Sequence, residues 1–339
     1  MKRTLALILS LAMVFALVAC GQKEETPDDT KQPEQTGEPT SSLDYVAVGA
    51  GATGGNFYMT TSTFCQTFNE KFSGTTCNAE TTTGSVENNK MLLEGDLGMC
   101  ISNIDIAYCA ATGTREFSEG GYSGDIRVVL PGEWNNVCNI IVRKDSGITA
   151  IEELKGKTIA CNSGTQLTDY TPLILKEYGL NEGDYKIQAV TNSEMADAMR
   201  DKHVDAIIQF GAAPVSAFAD LASTTDCLWL SISEEHMNNI TSNYPYFGTA
   251  VIPANTYIGQ TEDIAVLANM PVFVAMADLD EGFVYQFLKT TFDNLDDSVL
   301  AYTNCKSYTL ESLVDYYNNP AGLELHSGAV KYLESVGAI

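Results

Sequence analysis

Residues 44–68 read DYVAVGAGATGGNFYMTTSTFCQTF. A β-rich apolar run ends in a glycine-rich turn, Gly49 to Gly55, and a helical segment runs from Phe57 to Phe72. The same unit recurs along the chain. Strand-like runs fall at 97–102 (LGMCIS), 126–131 (IRVVLP), 137–143 (VCNIIVR), 157–162 (KTIACN), 185–191 (YKIQAVT), 204–210 (VDAIIQF) and 271–277 (PVFVAMA). Between them lie helical segments Val86–Leu93, Ile104–Ala111, Leu167–Tyr178, Glu194–Asp201, Val215–Leu221 and Glu281–Phe292. This alternation predicts an α/β protein whose sheets are mainly parallel and covered on both faces. In such sheets ligand sites gather at the carboxyl ends of strands and the amino ends of the helices that follow.

Those junctions are where small polar residues collect: Thr83-Gly84-Ser85-Val86-Glu87-Asn88, Ser102-Asn103, Asn162-Ser163-Gly164-Thr165 and Gln209-Phe210-Gly211. Helix amino ends carry unpaired N–H groups and a positive dipole end, so a cleft lined by them offers fixed donors to an anionic ligand. Each junction also has a purely structural explanation, since Ser85 and Ser163 suit N-caps and Gly54, Gly55 and Gly164 suit turns. Gly49, Gly51 and Gly54 match the register G-x-G-x-x-G. A dinucleotide site would also want an acidic residue at a strand end about 20 positions on, where this chain reads as helix and turn, so no cofactor is expected.

The amino terminus supplies an address. Lys2 and Arg3 precede an apolar run, Leu5 to Ala19, that ends in Leu17-Val18-Ala19-Cys20. A positive start, a short apolar stretch and small residues before a cut describe an export signal over residues 1–19. Leu-Val-Ala-Cys resembles the bacterial lipobox, which implies cleavage before Cys20, diacylation of its sulfur and anchoring at the outer face of the cell membrane. Residues 20–42 are polar and rich in Pro, Gly and Thr and read as a flexible linker, with a root-mean-square reach of about 26 Å. The chain carries 19 Lys and Arg against 44 Asp and Glu. That acidity disfavours nucleic acid and anionic lipid as partners but leaves local donors in control of a cleft, because screening acts over about 8–10 Å.

Eight cysteines follow Cys20: Cys65, Cys77, Cys100, Cys109, Cys138, Cys161, Cys227 and Cys305. Several lie in apolar strands where a small thiol packs well, so mostly free thiols are expected, with Cys65–Cys77 the pair best placed to bridge. No CxxC or Cys/His cluster exists and no metal site is expected.

Taken together, Thr53-Gly54-Gly55-Asn56-Phe57-Tyr58, Gly84-Ser85-Val86-Glu87-Asn88, Leu154-Lys155-Gly156-Lys157 before Asn162-Ser163-Gly164-Thr165, Val204-Asp205-Ala206 before Gly211 and Pro214, and Leu325-His326-Ser327-Gly328-Ala329 resemble the TAXI-type solute receptors of tripartite ATP-independent periplasmic (TRAP) transporters. The resemblance covers 43–339. It implies a two-lobed, periplasmic-binding-protein-like (type II) fold with a hinge and an interlobe cleft, lobe I being 43–136 and 251–339 and lobe II 137–250. It further implies a small-molecule ligand, a carboxylate or an amino acid of glutamate or glutamine type, passed to the membrane permease subunits of a symporter. The site residues it implies are Thr53, Asn56, Tyr58, Ser85, Asn88 and Asn103 from lobe I and Ser163, Gly164, Thr165, Gln209 and Gly211 from lobe II. Trp134, near the crossover, either walls the ligand or packs at the hinge. The chain departs from the family pattern at Asn56, Phe57 and Asn103, where Thr, Tyr and Asp are common, so ligand identity does not carry over. Arginine is scarce and absent from the motif loops, which leaves N–H groups and hydroxyls to hold a carboxylate.

Two rival classes are a receptor serving an ATP-driven (ABC) importer and an exported hydrolase using Ser85 or Ser163. Catalysis would need a nearby base. The histidines, His203, His236 and His326, accompany no G-x-S-x-G elbow, so no enzyme is expected.

Overall fold

The computed structural model describes residues 37–295 and 302–339. The export signal and Cys20 therefore lie outside the described residues. The strands are β1 (Tyr45–Gly51), β2 (Thr76–Thr81), β3 (Met99–Asn103), β4 (Ile126–Pro131), β5 (Asn136–Arg143), β6 (Thr158–Cys161) and β7 (Lys186–Ala189). They continue with β8 (Ala206–Ala212), β9 (Cys227–Trp229), β10 (Gly248–Ile252), β11 (Ile264–Asn269) and β12 (Pro271–Met276). One sheet has the order β2-β1-β3-β12-β4 and the other β10-β11-β5-β8-β6-β7, with β9 also pairing β5.

The two sheets share a plan. In each, the first strand lies between the second and the third, and beyond the third comes a strand that has just arrived from the other sheet: β12 in the first, β5 in the second. The early pairs β1–β2, β1–β3, β6–β7 and β6–β8 are parallel. The arriving strands run antiparallel to their neighbours, β12 to β3 and β4, β5 to β8, β9 and β11. The sheets are therefore mixed, where alternation alone predicted mainly parallel ones. This is the two-sheet α/β architecture expected from the resemblance, and Pro39–Ile339 forms one compact unit.

The return from the second sheet to the first lies later than position 250. β10 and β11 pair with each other and, through Ala268 and Asn269, with β5, so the chain returns to the first sheet at Met270 and not near 250. The outward passage lies between Pro131 and Asn136. The two passages run side by side: Asn136 is opposite Asn269, Pro131 is opposite Val272, and the Gly132 N–H donates to the Pro271 carbonyl at 2.8 Å. The expected linker also ends sooner. Gln286 donates to the Pro39 carbonyl and Ser42 to Asp280, while Thr75 donates to Ser41 and to the Leu43 carbonyl, so Pro39 to Ser42 is bonded to the fold.

The helices are α1 (Asn56–Lys71), α2 (Ser85–Glu94), α3 (Ile104–Thr112), α4 (Thr171–Glu177, continuing a π turn at Gln166–Tyr170), α5 (Asn192–Arg200), α6 (Ser216–Thr224), α7 (Glu234–Asn243) and α8 (Glu281–Asp293), with two more at Leu310–Asn318 and Ser327–Ser335. Phe64 and Phe68 anchor α1 in an aromatic core with Phe273, Phe283, Phe287 and Tyr308, Phe64 meeting Tyr308 edge-on at 5.4 Å. Burying such rings fixes the helix firmly, since removing one costs about 3–5 kcal/mol. The eight cysteines are free and buried. Burial pushes the Cys227 and Cys305 thiols up to about 11 and about 12, so they fill space without reacting. Cys65 and Cys77 are in contact, Sγ to Sγ 2.9 Å.

His326 caps the last helix from a fully buried position: its Nδ1 accepts from the Gly328 N–H at 3.1 Å, and its backbone N–H donates to the Val128 carbonyl. Burial lowers the imidazole pKa below its ordinary 6.5. The unfolded chain then takes up a proton before the folded chain does, so this stabilisation is complete above about pH 6.5 and is lost as pH falls through that window. His326→Asn, which retains a capping acceptor without the titration, is expected to show a shallower loss of stability between pH 7.5 and 5.5 in urea unfolding than the parent chain. Parallel curves would show that His326 does not titrate on unfolding.

Candidate functional site

The carboxyl ends of β3 and β8 and the amino ends of β5 and β12 converge on one cavity of about 310 Å³ between the sheets. Asn56, Phe57 and Thr60 of α1 form one wall together with Asn103. Asn135, Asn136 and Pro271 come from the two passages, and Gln166, Phe210, Gly211 and Ala212 face them from the second sheet. Asn304, Ser307 and Tyr308 close the side nearest α1.

Each wall is held by identifiable bonds. The N-cap of α1 is Gly55, which has no side chain to satisfy the first-turn N–H groups. Asn56 Oδ1 accepts from the Tyr302 hydroxyl at 3.2 Å, and that hydroxyl accepts from Asn304 Nδ2 at 3.2 Å. Asn103 sits at the N-cap of α3 yet makes no side-chain capping bond. Its backbone is pinned instead, the N–H donating to Ser85 Oγ at 3.1 Å and the carbonyl accepting from Ser102 Oγ at 2.9 Å. Across the cavity the Gln166 amide pairs with both backbone groups of Phe210, donating to its carbonyl at 3.0 Å and accepting from its N–H at 2.9 Å. A Cβ at Gly211 would lie 2.6 Å from the Gln209 amide nitrogen, so any larger residue there would displace the Gln209 side chain.

The lining is polar but uncharged. Among the described residues it contains amides, hydroxyls, two phenylalanines and Tyr308, whose phenol is kept neutral because burial raises its pKa well above the ordinary value. Such a surface offers both donors and acceptors beside aromatic faces suited to an apolar stem.

Beside the cavity, α3 and the π turn meet along a seam. The fully buried Asp105 carboxylate receives Arg115 at 3.0 Å and the Asn269 amide at 2.9 Å, while Asn269 also donates to the Tyr170 hydroxyl at 3.0 Å and Arg115 reaches Asp169 at 3.4 Å. Burial opposes the charge of Arg115, but Asp105 and Asp169 raise its pKa and keep the guanidinium ionised. This cluster joins the two sheets polar group by polar group.

Of the residues expected at the site, Asn56, Asn103 and Gly211 line the cavity. Asn88 does not. It is fully buried, accepts from the Thr82 hydroxyl at 2.6 Å and donates to the Ile101 carbonyl at 2.7 Å, beneath Gly49, whose Cβ would come 2.7 Å from it. Ser85 is spent on the Asn103 backbone. Gln209 lies under the cavity floor, donating to the Phe210 carbonyl and accepting from Asn139, itself bonded to Tyr257. Thr53, Ser163 and Gly164 are exposed and Tyr58 and Thr165 half-buried, none of them in the lining. Trp134 stacks on Gly248 and borders a second cavity of about 520 Å³ with Glu133, Glu311 and Asp315. Sequence reasoning missed Thr60, Asn135, Asn136, Gln166, Ala212, Pro271, Asn304, Ser307 and Tyr308 as lining residues. The Asn135–Asn136 pair, polar residues directly ahead of an apolar strand, was the one readable signal among them.

The NMT1-like family profile matches residues 48–337. The chain belongs to the NMT1-like family. Similar solved structures of this NMT1-like chain include the periplasmic aliphatic sulphonate binding protein SsuA from Escherichia coli, at 14% identity over 86% of this chain and 84% of that one, with a TM-score of 0.47. The alkanesulfonate-binding protein SsuA from Xanthomonas axonopodis pv. citri is 15% identical over 88% and 84%, with a TM-score of 0.43. A Bacillus subtilis protein named a probable amino-acid ABC transporter extracellular-binding protein is 14% identical over 78% and 97%, with a TM-score of 0.42.

Asn88→Ala is expected to lower unfolding stability by about 2–4 kcal/mol, because it strands the buried Thr82 hydroxyl and the Ile101 carbonyl. Asn103→Ala, which loses no side-chain bond, is expected to stay within about 0.5 kcal/mol of the parent. Denaturant titration of the two variants checks the contrast, and equal losses would mean that Asn103 also supports the fold.

Proposed function

We propose that this chain is an extracytoplasmic, lipid-anchored receptor that captures a small carboxylate or an amino acid between its two lobes and delivers it, unaltered, to the permease of a TRAP-type symporter. The observation that carries the binding part of this reading is the cavity between the sheets, where unbonded amides and uncapped helix ends face one another. Donors from both sheets can grip one solute at once, and a solute that bonds to both favours the arrangement in which they are close. The paired passages at 132–135 and 269–271 are where such a movement would turn. The described lining holds no histidine and no carboxylate that could act as a base for Ser307, which favours carriage over catalysis. The symporter partner rests on the motif resemblance, and the anchor on Leu17-Val18-Ala19-Cys20.

Thermal-shift and calorimetric titration of purified protein with small carboxylates and amino acids tests the receptor role. A true solute at 100 times its Kd should add about 2.7 kcal/mol of stability. Replacing Asn135 and Asn136 by Ala is expected to weaken binding at least tenfold with little change in the ligand-free melting temperature, and unchanged affinity would move the site elsewhere. Separately, Cys20→Ser is expected to transfer the protein from the membrane to the soluble fraction. Reconstituted uptake should follow an ion gradient, and dependence on ATP would assign the receptor to an ABC importer instead.

A further inference from the structure

On the receptor reading above, we infer that the solute is a small carboxylate that carries no ammonium group, and that the cavity discriminates against amino acids. An ammonium group withdrawn from water requires an anionic partner, because neutral oxygens replace its hydration without balancing its charge. The described lining supplies none. Asp105, in the first turn of α3 directly after Asn103, is fully buried and already committed, one oxygen to Arg115 and the other to Asn269.

Helix N–H donors, by contrast, do open at the cavity. α1 and α3, of 16 and 9 residues, both begin at the cavity and neither is capped by a side chain. Thr191, Ser233, Asp280, Thr309 and His326 each accept an N–H of the helix they precede, whereas α2 and α6 share with α1 and α3 the lack of a capping side chain. The cavity also receives the amides of Asn103, Asn135 and Asn136, which are not engaged in side-chain hydrogen bonds with other described residues, so their N–H groups and their neutral carbonyl oxygens both remain available. Uncapped helix N–H groups around a pocket without a counter-anion favour negative charge over positive, while the neutral amides can orient a ligand without balancing a charge. Asn103 is the position at which one atom would change this balance, since aspartate has the same shape and is equally suited to an N-cap.

The test is calorimetric titration at pH 7 with glutarate, 2-hydroxyglutarate and glutamate, which share a carbon skeleton and differ at one substituent. Glutarate or 2-hydroxyglutarate should bind at least tenfold more tightly than glutamate, and Asn103→Asp should narrow or reverse that ratio. Should Asn103→Asp not fold, Asn136→Asp places the carboxylate on the opposite wall and serves the same purpose. Equal or tighter binding of glutamate by the parent chain, or tight binding of any other amino acid, overturns the inference and leaves the receptor reading intact. Failure of all three compounds overturns the inference, and a silent wider panel removes the receptor reading as well.

Discussion

The constraint on which this structure depends is the double passage of the backbone between its sheets. Two segments of a few residues each, 132–135 and 269–271, lie side by side and are tied by the Gly132 N–H to Pro271 carbonyl bond. Because each passage delivers a strand into the middle of the receiving sheet, β5 and β12 run antiparallel to the strands on either side of them. Their amino ends, Asn136 and Pro271, therefore start at the same edge where β3 and β8 finish. The cavity is the geometric outcome: four strand ends and the start of α1 meet there, and the seam of Asp105, Arg115 and Asn269 sets how far apart the sheets stand beside it. A buried charged cluster of this kind contributes little net stability compared with apolar packing, but it tolerates only one arrangement of its partners.

Much of the fold could be read from the chain because the information was local. Apolar runs such as IRVVLP and VCNIIVR became β4 and β5 almost to the residue, and the glycine-rich turn after β1 did lead into a long helix. What escaped was short or polar, except for β11, whose apolar run IAVLAN was not read as a strand. β2, with the sequence TCNAET, buries few side chains and borrows its stability from backbone pairing with β1. β10 is an edge strand, half exposed. The point of return to the first sheet was hard to read as well, since β10 and β11 declare their sheet only through pairing with β5, a contact across more than a hundred residues.

The site was less legible, and the cause is physical. Polar residues at strand-to-helix junctions face either the ligand or the backbone beneath it, and composition does not tell these apart. Asn88 and Asn103 illustrate the ambiguity: the same side chain, at neighbouring junctions, is locked into the fold in one case and unbonded in the other. Ser85 and Gln209 likewise hold the residues that line the cavity rather than lining it themselves. The wall formed by Asn304, Ser307 and Tyr308 had no motif at all, being brought there by the packing of Tyr308 against Phe64.

The pairing of the Gln166 amide with Phe210 has a kinetic implication. A side chain that imitates a neighbouring strand keeps the end of β8 in a single conformation whether or not anything occupies the space beside it. Stiffness present beforehand means that little disorder is surrendered when a guest arrives. Differences in affinity among guests should therefore register in how long each one stays, while their rates of entry remain similar.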